Sequence, residues 1–191
     1  MNKLNKILVI MLVALMAIPT LNSCTKKGEE DPGLSLKSRK SRLAGEWTLT
    51  SGSVMMTSGG STYSVTFSSG MATYTFMGNS TTVMYSETVT YGKDNTFKAV
   101  VIDDGDMTTT EGFWAFMGAY DEVKKEECVV TRTKSQMSSG GITVYTGEEM
   151  PTGVFRFKRL SSKDAIIILD GTEVDDGDLW SITGELTYTK K

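Results

Sequence analysis

The 191 residues contain no histidine, so any chemistry must come from carboxylates, hydroxyls and two thiols. That excludes Ser-His-Asp and Cys-His catalysis and the usual zinc sites, which share imidazole as base or ligand. Catalysis through carboxylates alone stays open: Glu87 and Glu111 both fall in alternating segments, on the face shared with apolar neighbours. Two such acids turned inward would grip a cationic or hydroxylated ligand, or act as the pair that glycoside hydrolysis requires. Asp103-Asp104-Gly105-Asp106 and Asp175-Asp176-Gly177-Asp178 repeat one acidic word. Clustered carboxylates suit calcium, but neither copy has the spacing of an EF-hand loop. Asp-Gly is also a strong hairpin signal, and the turn reading is preferred; no metal or other cofactor is assigned. Lys124-Lys125-Glu126-Glu127 reads as a solvated charge run.

The two cysteines differ in setting. Cys128 lies in an apolar run beside Val129 and Val130 and is expected to be a small buried hydrophobe. Cys24 follows a basic start at Lys3 and Lys6, a 12-residue apolar run from Ile7 to Ile18, and Pro19. A membrane-spanning helix needs roughly 20 apolar residues, so this run has the length of an export signal. Leu21-Asn22-Ser23-Cys24 resembles the lipobox of bacterial lipoproteins, with Asn22 a less usual middle residue. The resemblance implies cleavage before Cys24, a thioether-linked diacylglycerol on its sulfur and an acylated amino group. Two or more chains give stable anchoring, at about 0.8 kcal/mol per buried CH₂. A membrane partner through that lipid and a place in the cell envelope, at the outer membrane, are expected.

Organisation follows as residues 1–23 signal, 24–44 tether and short helix, and 45–191 one domain. Removing Lys3 and Lys6 leaves 18 basic against 23 acidic residues, a net charge of −5. No basic stripe with interleaved aromatics suggests a nucleic-acid partner. Thr25 to Gly33 is polar and turn-rich, a flexible linker; its lysines and acidic cluster also resemble the export tags of some surface lipoproteins. Ser35 to Ala44 has the spacing of a short helix ended by Gly45.

From Gly45 onward the pattern is that of strands. Tyr63, Val65 and Phe67 alternate with threonine and serine, as do Val83, Tyr85, Val89 and Tyr91; Phe97, Ala99 and Val101 repeat the period. Phe113, Ala115 and Met117 alternate against Gly112, Trp114 and Phe116. Period two with β-branched and aromatic residues marks pleated, half-buried strands. Ile166 to Leu169 is apolar throughout and is expected to be covered on both faces. Gly59-Gly60, Gly78-Asn79, Asp104-Gly105 and Gly140-Gly141 separate such runs. Eight to ten short strands must close into a barrel or stack as a sandwich, because open edges aggregate. The nine methionines after Cys24, among them Met55, Met56, Met77, Met84 and Met117, are expected as core filler.

The order of several motifs resembles the lipocalin-like lipoproteins of Gram-negative bacteria. Gly45-Glu46-Trp47 opens the first strand after a helical lead-in, as Gly-x-Trp does in lipocalins. Asp94-Asn95-Thr96-Phe97 stands where that family has a "DGTF"-like turn, with Asn for Gly, and a hairpin and Gly112-Phe113-Trp114 follow. Phe157 to Ser161 leads into Asp164 to Leu169, and Leu186 to Thr189 would close the domain. The resemblance implies an all-β, up-and-down barrel with Trp47 plugging one end and an interior able to hold one small apolar or amphipathic ligand, non-catalytically. No ligand-binding residue or oligomeric state follows from it. The alternative is a surface β-sandwich that recognises glycan or a partner protein, displaying Tyr63, Tyr74 or Tyr85 in an exposed row.

Overall fold

In a computed structural model, residues 38–117, 127–175 and 178–191 are described. The signal, Cys24, the tether to residue 37, Lys124 to Glu126 and the Asp176-Gly177 turn lie outside the described residues.

A short helix α1 (Arg39–Leu43) precedes eleven strands: β1 (Gly45–Ser58), β2 (Ser61–Ser68), β3 (Met71–Phe76), β4 (Asn79–Tyr91), β5 (Thr96–Asp103), β6 (Asp106–Phe116), β7 (Glu127–Ser138), β8 (Gly141–Val144), β9 (Thr152–Leu160), β10 (Asp164–Asp175) and β11 (Asp178–Lys190). Neighbouring strands pair antiparallel in an up-and-down meander, and β11 returns to pair with β1 from Trp47↔Lys190 to Thr57↔Ser181. The sheet therefore closes into a ten-strand barrel, with β8 a flap paired to the end of β7. This is the expected all-β, lipocalin-like barrel with one short helix, and it excludes the two-sheet sandwich. Tyr63 and Tyr85 are buried and Tyr74 half-buried, so the exposed aromatic row is not there.

The barrel narrows toward α1. Residues Gly45–Thr48 of β1 pair directly with Thr88–Tyr91 of β4. Beyond Thr48 the β2–β3 hairpin takes that place, pairing β1 through Ser51–Ser58 and β4 through Met71–Phe76. The narrow end thus has eight strands around it and the wide end ten. A second irregularity opens the wall: β9 pairs with β10 only as far as Ile168↔Arg156, while β10 continues along β11 alone to Asp175.

Bulges explain why the inward pattern is not strictly alternate. The β1–β11 register shifts between Leu49 and Ser51. Trp47 is buried before the shift and Val54 and Met56 after it, so the buried parity changes from odd to even. The β9–β10 ladder does the same, carrying burial from Phe157 to Leu160.

On β6 the inward set is Gly112, Trp114 and Phe116, whereas Phe113 is 46% exposed. Gly112 is required there: a Cβ would lie 2.0 Å from the Arg132 carbonyl oxygen and 2.8 Å from the Phe97 ring. The run from Ile166 to Leu169 also alternates, with Ile167 and Leu169 buried and Ile166 and Ile168 half-exposed, correcting the expectation of cover on both faces. Most methionines are not core. Met56 is buried, but Met55, Met77, Met84 and Met117 are exposed, because they stand on the outer parity of strands or in turns. The facing pairs Met71↔Met84, Ile102↔Met107 and Met137↔Ile142 put exposed apolar side chains along the outer wall.

The narrow end is plugged. Ser38 caps α1 by accepting from the Ser41 N–H at 3.2 Å. The Trp47 indole N–H donates to the Leu43 carbonyl at 2.6 Å, and the Lys190 ammonium lies 5.1 Å from the indole centroid. Trp114 is held in the same way, donating to the Gly92 carbonyl at 3.0 Å. Replacing Trp114 by Ala should cost about 3–5 kcal/mol of stability in urea unfolding. Phe113→Ala should cost at most about 1 kcal/mol; equal losses would reverse the facing of β6.

Candidate functional site

The strands enclose a cavity of about 100 Å³. A water needs roughly 10–15 Å³ of such space, so there is room for several waters or one small organic body. Leu43 and Trp47 line it at the narrow end, and Phe67, Phe97, Phe157 and Leu186 contribute apolar wall. Phe155 and Leu169 also line it, on the two strands whose ladder ends at Ile168↔Arg156.

Among the described residues Glu87 is the one charged residue in the lining; the other polar members are Thr110, Thr131, Thr133, Tyr91 and Tyr188. The residue is 4% exposed. Tyr188 donates its hydroxyl to Oε1 at 2.8 Å, and Tyr85 donates to Oε2 at 3.2 Å. Burial disfavours the charged form and raises the Glu87 pKa from 4.5 to about 7, while the two hydroxyls work in the opposite direction. Burial, with the Glu87 charge next, also pushes Tyr85, Tyr91 and Tyr188 above the usual phenol range. The result is an acid in an apolar chamber, whose charge changes around neutral pH, with two lone-pair positions of its roughly four still open.

Position on the inner wall decides which of the anticipated acids share this chamber. Glu87 faces inward as expected. Glu111 does not: it lies on the outer wall, half-exposed, in an ion pair with Lys98 at 3.1 Å. Gly112 and Trp114 set the inward parity of β6, so Glu111 must point out, and the expected Glu87–Glu111 pair is not formed.

The first acidic word is a turn. Asp104 and Gly105 have φ of 49° and 88°, both positive as a type I′ hairpin requires. Asp103 is occupied by the Tyr74 hydroxyl at 3.0 Å. In the second word, Asp175 of β10 pairs with Asp178 of β11, and the two residues between them lie outside the described residues. Among the described residues no group of three or more acids or cysteines is placed to hold a metal.

Asn95 has φ of 72°, the left-handed conformation that glycine takes readily. Asp94 steadies that turn by accepting from the Thr96 hydroxyl at 2.7 Å, which lowers the Asp94 pKa. Cys128 stands in β7 opposite Arg156, and its side chain is outside the described residues.

Sequence reasoning did not find Tyr188 or the threonines of β6 and β7 as site residues. Thr110, Thr131 and Thr133 looked like ordinary strand residues, and Tyr188 lies 101 positions from its acid. Only closure of β11 onto β1 brings that hydroxyl to Glu87.

No protein family and no curated protein matches this chain. The crystal structure of Rv2717c from M. tuberculosis is similar over 78% of this chain and 93% of that one, at a TM-score of 0.31 and 12% identity. A likeness of that size carries no functional argument. Among the described residues no helix is long and apolar enough to cross a membrane.

The Glu87 pKa makes stability depend on pH. Below 4.5 the acid is protonated in both folded and unfolded chains; between 4.5 and about 7 only the unfolded chain releases its proton. Stability therefore falls as pH rises through that window, by up to about 3 kcal/mol at 1.36 kcal/mol per pH unit. Urea unfolding at pH 4.5 and pH 8 should show that fall relative to Glu87→Gln. Parallel pH profiles for the two proteins would contradict the burial of a lone acid.

Proposed function

We propose that this protein is a lipid-anchored envelope lipoprotein whose lipocalin-like barrel holds one small, mainly apolar molecule without transforming it. The observation that supports binding is the cavity of about 100 Å³, walled by aromatic and aliphatic side chains inside a closed sheet. Apolar pockets with a few placed polar groups are the usual form of a small-molecule site. The modest volume favours a compact ligand of single-ring size. The absence of histidine and the outward position of Glu111 favour carriage or sensing over catalysis. Anchoring rests on Leu21-Asn22-Ser23-Cys24 and the preceding apolar run, and the outer membrane is its proposed location.

Toluene, added to the purified full chain, should shift the resonances of lining residues such as Val89, Ala99 and Leu186 with saturable binding. Ala99→Phe, which fills the chamber, should weaken that binding at least tenfold. No saturation at millimolar toluene would end the ligand reading. Palmitate should label the wild-type chain in its bacterial host but not Cys24→Ala; undiminished labelling would refute lipidation at that residue.

A further inference from the structure

Building on the binding reading above, we infer that the barrel selects a ligand with a primary ammonium head on a compact apolar body, the ammonium seated on Glu87.

The geometry is one-sided. Among the described residues every other member of the cavity lining is uncharged, and each Glu87 oxygen already accepts one tyrosine hydroxyl, at 2.8 and 3.2 Å. Those two bonds orient the carboxyl plane and leave an acceptor position on each oxygen, while donors sufficient for a carboxylate are still lacking. An ammonium brings three donors and the opposite charge. A buried charge is costly alone and tolerable when paired and hydrogen-bonded. The hydroxyls of Thr110, Thr131 and Thr133 stand elsewhere on the same lining and would not compete for a cation by charge. The aromatic walls suit the ligand's body, and their π faces also attract a cation.

The preference should depend on pH. Facing Glu87 are Tyr85 and Tyr91 of its own strand and Tyr188 of β11; Tyr74 of β3 and Asp103 of β5 lie one step further off and act on Tyr85. The tyrosines stay neutral up to pH 9, since burial raises them all, so Glu87 itself governs the switch. With its pKa at about 7, the acid is charged at pH 8.5 and neutral at pH 5.

The test compares benzylamine, benzyl alcohol and toluene, which share one ring, on the purified full chain by calorimetry and resonance shifts. At pH 8.5 benzylamine should bind at least tenfold more tightly than toluene or benzyl alcohol. At pH 5 that margin should shrink to threefold or less. Glu87→Gln should remove it at both pH values. The pH arm uses wild type alone, so a Glu87→Gln chain that failed to fold would not block the test. Toluene binding without an amine preference would overturn the ammonium inference and leave the apolar reading standing. Equal affinity for benzyl alcohol and benzylamine would overturn it in favour of a neutral donor. Failure of all three to bind would overturn both.

Discussion

The ladder between β1 and β11 is the constraint on which the rest of the molecule depends. Without it the chain is an open meander with two unpaired edges, and the inner face has no inside. With it, Glu185, Leu186 and Tyr188 of the last strand stand beside Ser53, Gly52 and Leu49 of the first. The closing ladder tolerates little change. Gly52 and Gly184 let the two backbones approach so closely that an added Cβ would lie 2.5 Å from the Glu185 carbonyl oxygen or 2.2 Å from that of Ser53. The shift between Leu49 and Ser51 then turns the upper half of β1, so that Val54 and Met56 face the core that Trp47 faces below. One extra residue keeps a long strand apolar on its inner side while the barrel changes width around it.

That change of width separates two tasks. At the narrow end β1 pairs with β4, and α1, Trp47 and Lys190 seal the opening. Above it the β2–β3 hairpin enters the wall and supplies its own filling, with Phe67 4.8 Å from Tyr85 and Tyr63 6.4 Å from Tyr74. The chamber is left between plug and filling. Tyr85 joins the two regions: its ring packs with the hairpin and its hydroxyl reaches Glu87. A movement of the hairpin would therefore be felt at the acid.

Much of the fold was legible because the residues that speak for it are local. Asp94-Asn95-Thr96-Phe97 announced a turn, and Asn95 adopts the left-handed conformation that such a turn needs. Gly45-Glu46-Trp47 announced the start of the wall, and Trp47 plugs its end. What was misread depended on which way a strand faces. Phe113 and Trp114 fall in alternating sets, and alternation alone does not say which set faces inward. Close approach of the Arg132 backbone at Gly112 sets that phase, and it lies 20 residues along the chain. Glu111 and the methionines failed for the same reason. The pairing of Tyr188 with Glu87 was illegible in principle, being a consequence of closure rather than of any neighbouring residue.

Glu87 remains the group that packing alone does not explain. A structural account would make the acid a partner for the Tyr85 and Tyr188 hydroxyls. That account is incomplete, because phenylalanine at both positions and leucine at 87 would fill similar space with no polar group to satisfy. Replacing buried ionic networks by apolar residues is often neutral or stabilising, and this acid already weakens the fold above pH 7 through its raised pKa. Local rules of stability tend to be broken where a site does work. A carboxyl held by two hydroxyls, in a chamber with no other charge among the described residues of its lining, is the arrangement that the proposed ammonium ligand would complete.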